Sequence, residues 1–209
     1  MRSSANGNGA PYGKSLKILK NELRAVYLEK RKSIPEEQKK AYDAAICRKI
    51  LASVSYRYAK TVLLYSPLPG EIDVTEVAVA ALRDGKQVAF PRCVPGAPIM
   101  HFHLVTDLEA QLSRGSYSIM EPSESAPVWT PSESCEGVIC IIPAVVFDRG
   151  GHRIGYGKGY YDRYLSTCKR ITRLGVIYND FLLNSIPTGR FDLAADAIIT
   201  EKQILTVKK

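Results

Sequence analysis

Between Gly150 and Leu165 the chain reads GGHRIGYGKGYYDRYL, with three glycines at alternate positions (Gly155, Gly157, Gly159) around Tyr156 and Lys158. Glycines at this density let a backbone take positive φ and turn its amides inward, which makes a nest for an anion. A helix starting near Tyr160 and running through Leu165 would add its positive N-terminal end to that site. Lys158 supplies a cation at the centre of the loop, and Asp162 a hard oxygen for a divalent metal beside phosphates. These residue types in this order describe a phosphate cradle with a metal ligand attached. The loop is not a Walker A sequence, because Lys158 is followed by Gly159 and Tyr160 rather than Ser or Thr. It is not a dinucleotide fingerprint either, since the third glycine comes one residue too early. A turn that only reverses the chain would have no use for Lys158 and Asp162 together.

The elements that must position this loop can be read on either side of it. The apolar run Ile141, Ile142, Ala144, Val145, Val146 and Phe147 predicts one buried strand, ended by the turn residues Asp148, Arg149, Gly150 and Gly151. Upstream, Leu16, Leu19, Leu23, Val26 and Tyr27 fall at helical spacing and predict a helix over 16–32. Lys20 and Arg24, four apart, share one face of it. Ser33 followed by Glu36 reads as a capping box opening a second helix through about Ala52. Strands are expected over 61–65, 87–90, 100–105, 137–142, 174–178 and 197–200, with a short helix over 74–83. No element is assigned from Thr106 to Ser116, and Pro122 to Glu136 reads as a polar, Pro-rich surface loop. Strands alternating with helices argue for an α/β fold with a mainly parallel sheet. In such sheets ligands sit beyond the carboxyl ends of the strands, where the glycine loop falls.

Composition narrows the functional classes. The 209 residues form one domain over 15–209 behind a tail, 1–14, that has no apolar core for a signal peptide. That tail is free of acidic residues and carries serines, so an organelle address stays open. No apolar stretch approaches the roughly 18 residues of a membrane span. Cys47, Cys93, Cys135, Cys140 and Cys168 are odd in number and form no C-x-x-C pair, which fits reduced thiols in the cytoplasm. A net charge of +8 admits nucleic acid, a membrane surface or acidic small molecules. The basic residues are scattered rather than blocked in runs, which argues against nucleic acid.

The stretch FDRGGHRIGYGKGYYDRYL resembles the signature of the 5-formyltetrahydrofolate cyclo-ligase family. Other segments agree with that family in order and spacing: KNELR (20–24), GEID (70–73), FPR (90–92), MHFH (100–103), GSYSIMEP (115–122) and FDLAADAIITE (191–201). The resemblance spans about residues 15 to 205. It implies a three-layer, Rossmann-like α/β/α architecture. It also implies an ATP-dependent closure of 5-formyltetrahydrofolate to 5,10-methenyltetrahydrofolate, with Mg²⁺ as the metal and no nucleic-acid or membrane partner. A monomer is expected. In this reading Lys158 and Arg153 are catalytic. ATP is held by Lys20, Arg24, Arg153, Ile154, Gly155, Tyr156, Gly157, Lys158, Gly159, Tyr160 and Tyr161. Tyr156 stands where some members have arginine, so no charge role passes to it.

Folate falls to Glu71, with Ser66, Met100, Tyr117 and Tyr160 around it; a carboxylate pairs with the donor edge of a pterin through two directed hydrogen bonds. Asp162 and Asp192 match the two acidic metal positions. Family members often carry histidine directly before the second aspartate, where this chain has Phe191, so Asp196 is kept as the alternative. His101, His103 and His152 are given no catalytic part, because phosphoryl transfer relies on positioning and charge neutralisation. Two rival readings are a sugar-phosphate enzyme on a related scaffold and a non-catalytic nucleotide- or folate-binding module. The first leaves Glu71 and the tyrosine pair without a purpose. The second predicts loss of a ligation residue, yet Lys20, Arg24, Lys158 and Asp162 are all present.

Overall fold

A computed structural model describes residues 15–115, 119–131, 136–168 and 170–208. The expected tail, 1–14, and Tyr117 lie outside the described residues. Two long helices come first, α1 (Leu16–Lys32) and α2 (Glu36–Ala52), then the short α3 (Val54–Tyr58). There follow β1 (Thr61–Leu63), α4 (Thr75–Arg83), β2 (Gln87–Cys93), β3 (Met100–Val105), α5 (Leu108–Gln111), β4 (Leu112–Arg114) and β5 (Met120–Pro122). The second half holds β6 (Val138–Pro143), β7 (Val146–Asp148), β8 (Arg153–Ile154), α6 (Tyr160–Ser166), β9 (Thr172–Val176), β10 (Leu182–Leu183), β11 (Ala197–Ile199) and β12 (Ile204–Thr206).

The main sheet has the order β12-β11-β9-β6-β1-β2-β3. Its five inner strands run parallel, and β3 and β12 close the two edges antiparallel. Flanking helices make this the three-layer α/β/α arrangement. In β6 the first five residues, Val138 to Ile142, are all buried, as in a central parallel strand covered on both faces. Gly175 in β9 stands under Phe147: a Cβ there would lie 2.5 Å from the ring, so only glycine lets that aromatic close the core.

The chain leaves β1 toward β2 on one side and leaves β6 toward β9 on the other, although β1 and β6 are paired neighbours, Leu63 opposite Cys140. Their following loops therefore diverge and open a crevice at the carboxyl ends, the topological switch point of an open α/β sheet.

Four local expectations change. The apolar run 141–147 is not one strand: β6 stops at Pro143, and Val146 starts a small second sheet of order β10-β7-β8. Proline cannot donate to a ladder, which is the reason the run breaks there. Ser33 does not cap α2. Its hydroxyl donates to the Lys30 carbonyl at 2.8 Å and closes α1, while Pro35 takes the N-cap position of α2 with its preset φ. The stretch left unassigned holds α5 and β4, the helix capped by Asp107 accepting from Glu109 N and Ala110 N at 2.9 Å each. In the loop after β5, Trp129 is buried and donates its backbone N–H to Phe102 O at 2.7 Å, so it packs against β3.

Candidate active site

The crevice holds a cavity of about 750 Å³. Every described residue of the leading assignment lines it: Lys20 and Arg24 from α1, Ser66 and Glu71 after β1, Met100 at the start of β3, Arg153 to Asp162, and Asp192. Asp196 does not. It accepts from the Arg173 backbone N–H at 2.7 Å and from the guanidinium at 3.1 and 3.2 Å, tying β9 to the strand after it. None of the three histidines lines the cavity; His103 spends Nδ1 on Ala126 O at 2.8 Å.

One end of the cavity is a lattice of cations and carboxylates. The Lys20 ammonium pairs with Asp192, which also accepts the Gly189 N–H at 2.7 Å. Arg153, at the start of β8, donates to Asp162 Oδ1 at 2.9 Å and to Leu193 O at 3.1 Å, and Asp162 also accepts the Leu193 N–H. So α1, the glycine loop, α6 and the 189–193 turn are cross-linked through charge. Burial pushes the Asp192 carboxyl up, but the Lys20 bond, the Gly189 amide and the Arg153 charge outweigh it and leave it below the usual carboxylate range.

The glycine loop arches over this end. Arg24 Nε donates to the Gly155 carbonyl at 2.6 Å, which fastens the loop to α1. Burial lowers the pKa of that guanidinium from a value so high that it stays charged. Gly157 has φ +96°, which favours glycine, and a Cβ there would come within 3.3 Å of the Arg24 guanidinium. Lys158 is exposed, and among the described residues its ammonium has no hydrogen-bond or ion-pair partner. The helix after the loop, α6, has only seven residues, so its dipole is small and the donors here are chiefly side chains.

Another part of the wall carries Glu71, Ser66 and Tyr161, with the Arg153 guanidinium carbon 5.9 Å from the Tyr161 ring centre. Glu71 is 5% exposed; its Oε2 accepts the Leu68 N–H at 2.9 Å inside a turn closed by Glu71 N donating to Leu68 O. Burial raises its pKa, while the Leu68 bond and the Arg31 charge pull it partly back. The Ser66 and Tyr161 hydroxyls are buried with no partner among the described residues. A buried hydroxyl left unpaired costs about 1–3 kcal/mol, so donors in this state on a cavity wall are set for a ligand. Tyr65 fixes the loop from behind, its hydroxyl donating to Ile72 O at 2.7 Å.

A family model described as the 5-formyltetrahydrofolate cyclo-ligase family matches residues 17–201. The chain belongs to that family. Among its curated relatives is a probable 5-formyltetrahydrofolate cyclo-ligase of Schizosaccharomyces pombe, 26% identical over 91% of this chain and 98% of that protein. The 5-formyltetrahydrofolate cyclo-ligase of Mycolicibacterium smegmatis is 28% identical over 88% and 94%. Among solved structures, the 5,10-methenyltetrahydrofolate synthetase of Aquifex aeolicus superposes with a TM-score of 0.79 at 30% identity, covering 91% of this chain and 94% of that one.

Cyclo-ligase membership does not by itself name several wall residues that sequence reasoning passed over. Asn21 sits between Lys20 and Arg24, with its side-chain oxygen accepting from the Arg24 guanidinium. Pro91 and Cys93 of β2 and Glu121 of β5 form another part of the wall. Glu121 is 3% exposed and lies 3.7 Å from the Arg92 guanidinium. Its only sequence signal was membership of the GSYSIMEP segment.

Proposed function

We propose that this chain closes 5-formyltetrahydrofolate to 5,10-methenyltetrahydrofolate at the expense of ATP, releasing ADP and phosphate. The observation that carries the reading is the polarity of one cavity. Its wall carries the cations Lys20, Arg24, Arg153 and Lys158 and, beside them, the buried polar groups of Glu71, Ser66 and Tyr161. A triphosphate fits the first and a pterin the second, which sets the γ-phosphate facing the formyl group between them. In the reaction the formyl oxygen attacks the γ-phosphorus and the bond to ADP breaks. The second folate nitrogen then attacks the activated carbon and loses its proton, and phosphate leaves with the former formyl oxygen.

The residues act by placement and charge rather than as nucleophiles. Lys158, the unpaired cation on the loop, meets the transferring phosphoryl oxygens, and Arg153 steadies them from the wall. Lys20 and Arg24 take the remaining phosphate charge, and the amides of the 155–159 loop complete the cradle. Glu71 accepts the pterin's donors, Ser66 supplies a hydroxyl beside it, and Met100 with Tyr160 flanks the ring.

Magnesium is assigned to Asp162 and Asp192. No group of three or more potential metal-ligating side chains occurs among the described residues. Two hard carboxylates facing a polyphosphate nevertheless suit Mg²⁺, which keeps several waters and needs only one or two protein oxygens. When bound, the ion would neutralise charge on the phosphate oxygens. We assign the molecule to the cytoplasm, as a monomer whose folded domain spans 15–209. The four described cysteines are free thiols, which suits a reducing compartment.

The deciding test is ATP-dependent appearance of the methenyl chromophore from 5-formyltetrahydrofolate with the purified chain. Chromophore without ATP, or none with it, rejects the reading. Light scattering of the same sample tests the monomer.

A further inference from the structure

Arg31 lies in the last turn of α1, in a basic run of the kind that usually faces solvent. Instead it is 7% exposed. Its Nη2 donates to Ala144 O at 2.5 Å and Val145 O at 3.1 Å, the two residues between β6 and β7. The guanidinium carbon lies 5.6 Å from the Phe181 ring centre, and Nε has no partner among the described residues. A cation this buried is costly unless another charge offsets it, and neutral carbonyls alone do so only in part. The packing role could be filled by methionine without that cost. The charge therefore has a use.

Two cavity residues sense it. Burial raises the pKa of both Glu71 and Tyr156, and the Arg31 charge pulls each partly back. Its stem passes under Gly70, next to Glu71: a Cβ on Gly70 would lie 3.5 Å from Arg31 Cδ. Arg31 itself does not line the cavity. We infer that Arg31 is a positioning residue, a buried cation fastened to the β6–β7 turn and packed under Gly70, where it supports Glu71 for the pterin.

The inference rests on the reading of Glu71 as the pterin's partner. The other groups around that carboxylate are the Leu68 amide and the hydroxyls of Tyr65, Tyr156 and Tyr161, all three held above their usual pKa, with burial the largest cause. They stay neutral through the acid and neutral range, so Arg31 is the formal charge assigned to Glu71's ionisation. Removing it raises the Glu71 pKa further. Folate affinity, which needs the carboxylate, then fails at a higher pH.

The test is equilibrium binding of 5-formyltetrahydrofolate across pH, without ATP and without turnover. The native chain should lose affinity on an acid limb that Glu71→Gln abolishes. Arg31→Gln and Arg31→Met should both move that limb upward, the direction expected when a nearby opposite charge is removed. The two variants differ in whether the Ala144 and Val145 carbonyls keep a donor, so a folding failure in one leaves the other to decide. Arg31→Lys should restore the native limb. Adding Arg31→Gln to Glu71→Gln should create no new limb. A limb unmoved in the neutral variants, while Glu71→Gln removes it, overturns the role of Arg31. A limb that persists in Glu71→Gln overturns instead the assignment of Glu71 on which it rests.

Discussion

Glu71 and Asp192 face the same cavity, yet their surroundings push them in opposite directions. Asp192 sits among the Lys20 ammonium, the Gly189 amide and the Arg153 charge and is held below the usual carboxylate range despite burial. Glu71 sits among apolar walls and tyrosine hydroxyls and is held above it, chiefly by burial. One end of the site is already satisfied by its own ion pairs, Lys20 with Asp192 and Arg153 with Asp162. The wall around Glu71 holds the Ser66 and Tyr161 hydroxyls, which lack partners among the described residues, and a buried carboxylate that accepts the Leu68 amide. Ligand binding at the basic end is therefore an exchange of partners, while at the buried end it completes an unfinished network. Substitutions at the two ends should fail in different ways.

The largest effect belongs to the basic end. Lys158→Ala should lower kcat/KM by about a hundredfold or more, since a preorganised charge facing a transferring phosphoryl group acts mainly in the transition state. Among the described residues Lys158 has no partner to leave stranded, so thermal stability should be unchanged. A loss under about tenfold would remove Lys158 from the reaction. The two metal carboxylates come next. Asp162→Asn and Asp192→Asn should each shift the Mg²⁺ dependence of turnover to higher concentration, whereas Asp196→Asn should leave that curve in place and lower the melting temperature, because it breaks the tie to Arg173. A curve shifted by Asp196→Asn and not by Asp192→Asn would reverse the choice of carboxylate.

Glu71→Gln inverts the usual link between activity and stability. A carboxyl whose folded pKa is raised contributes its stability below the unfolded pKa and loses that contribution as pH rises through the folded value. At neutral pH the ionised Glu71 thus works against folding. The amide should raise the melting temperature more at pH 7 than at pH 4, while weakening folate binding by about 2 kcal/mol, the scale of one charge-assisted hydrogen bond. ATP affinity should hold. A lower melting temperature at pH 7, or equal weakening of both ligands, would show that Glu71 is structural.

The same contrast explains what the sequence made legible. The basic end is written in consecutive residues, 153 to 162, and in the i,i+4 pair Lys20 and Arg24, so spacing alone brings its members together. What spacing could not show is that Lys20 finds Asp192 from 172 positions away, or that Asp196 turns back to clamp Arg173. The central sheet was legible because its inner strands are short apolar runs between turn residues. The break at Pro143 carried a signal, proline inside an apparent strand, but the apolar residues on both sides masked it. Cys93 and Glu121 arrive at the cavity through the β2–β3 and β4–β5 pairings, where alternation is weak and register is set by tertiary contact. Arg31 drew no reading from the sequence, since burial of a late-turn cation depends on the β6–β7 crossing above it.

The smallest effect is the most discriminating between the two ends. Ser66 is buried and its hydroxyl has no partner among the described residues, so Ser66→Ala deletes an unsatisfied group rather than a bond. The fold should lose nothing and can gain slightly, because the desolvation cost of that hydroxyl disappears with it. If the hydroxyl meets the folate, binding should weaken by about 0.5–1.5 kcal/mol, the net worth of a neutral hydrogen bond, or roughly two- to tenfold. The KM for ATP should stay where it is, since the basic end is cross-linked independently through Arg24 and Gly155. Separate titrations of folate and ATP, with a melting curve, read all three quantities on one variant. Unchanged folate affinity with a lowered melting temperature would mean that Ser66 is satisfied within the fold, and the picture of an unfinished network at the buried end would then have to rest on Tyr161 alone.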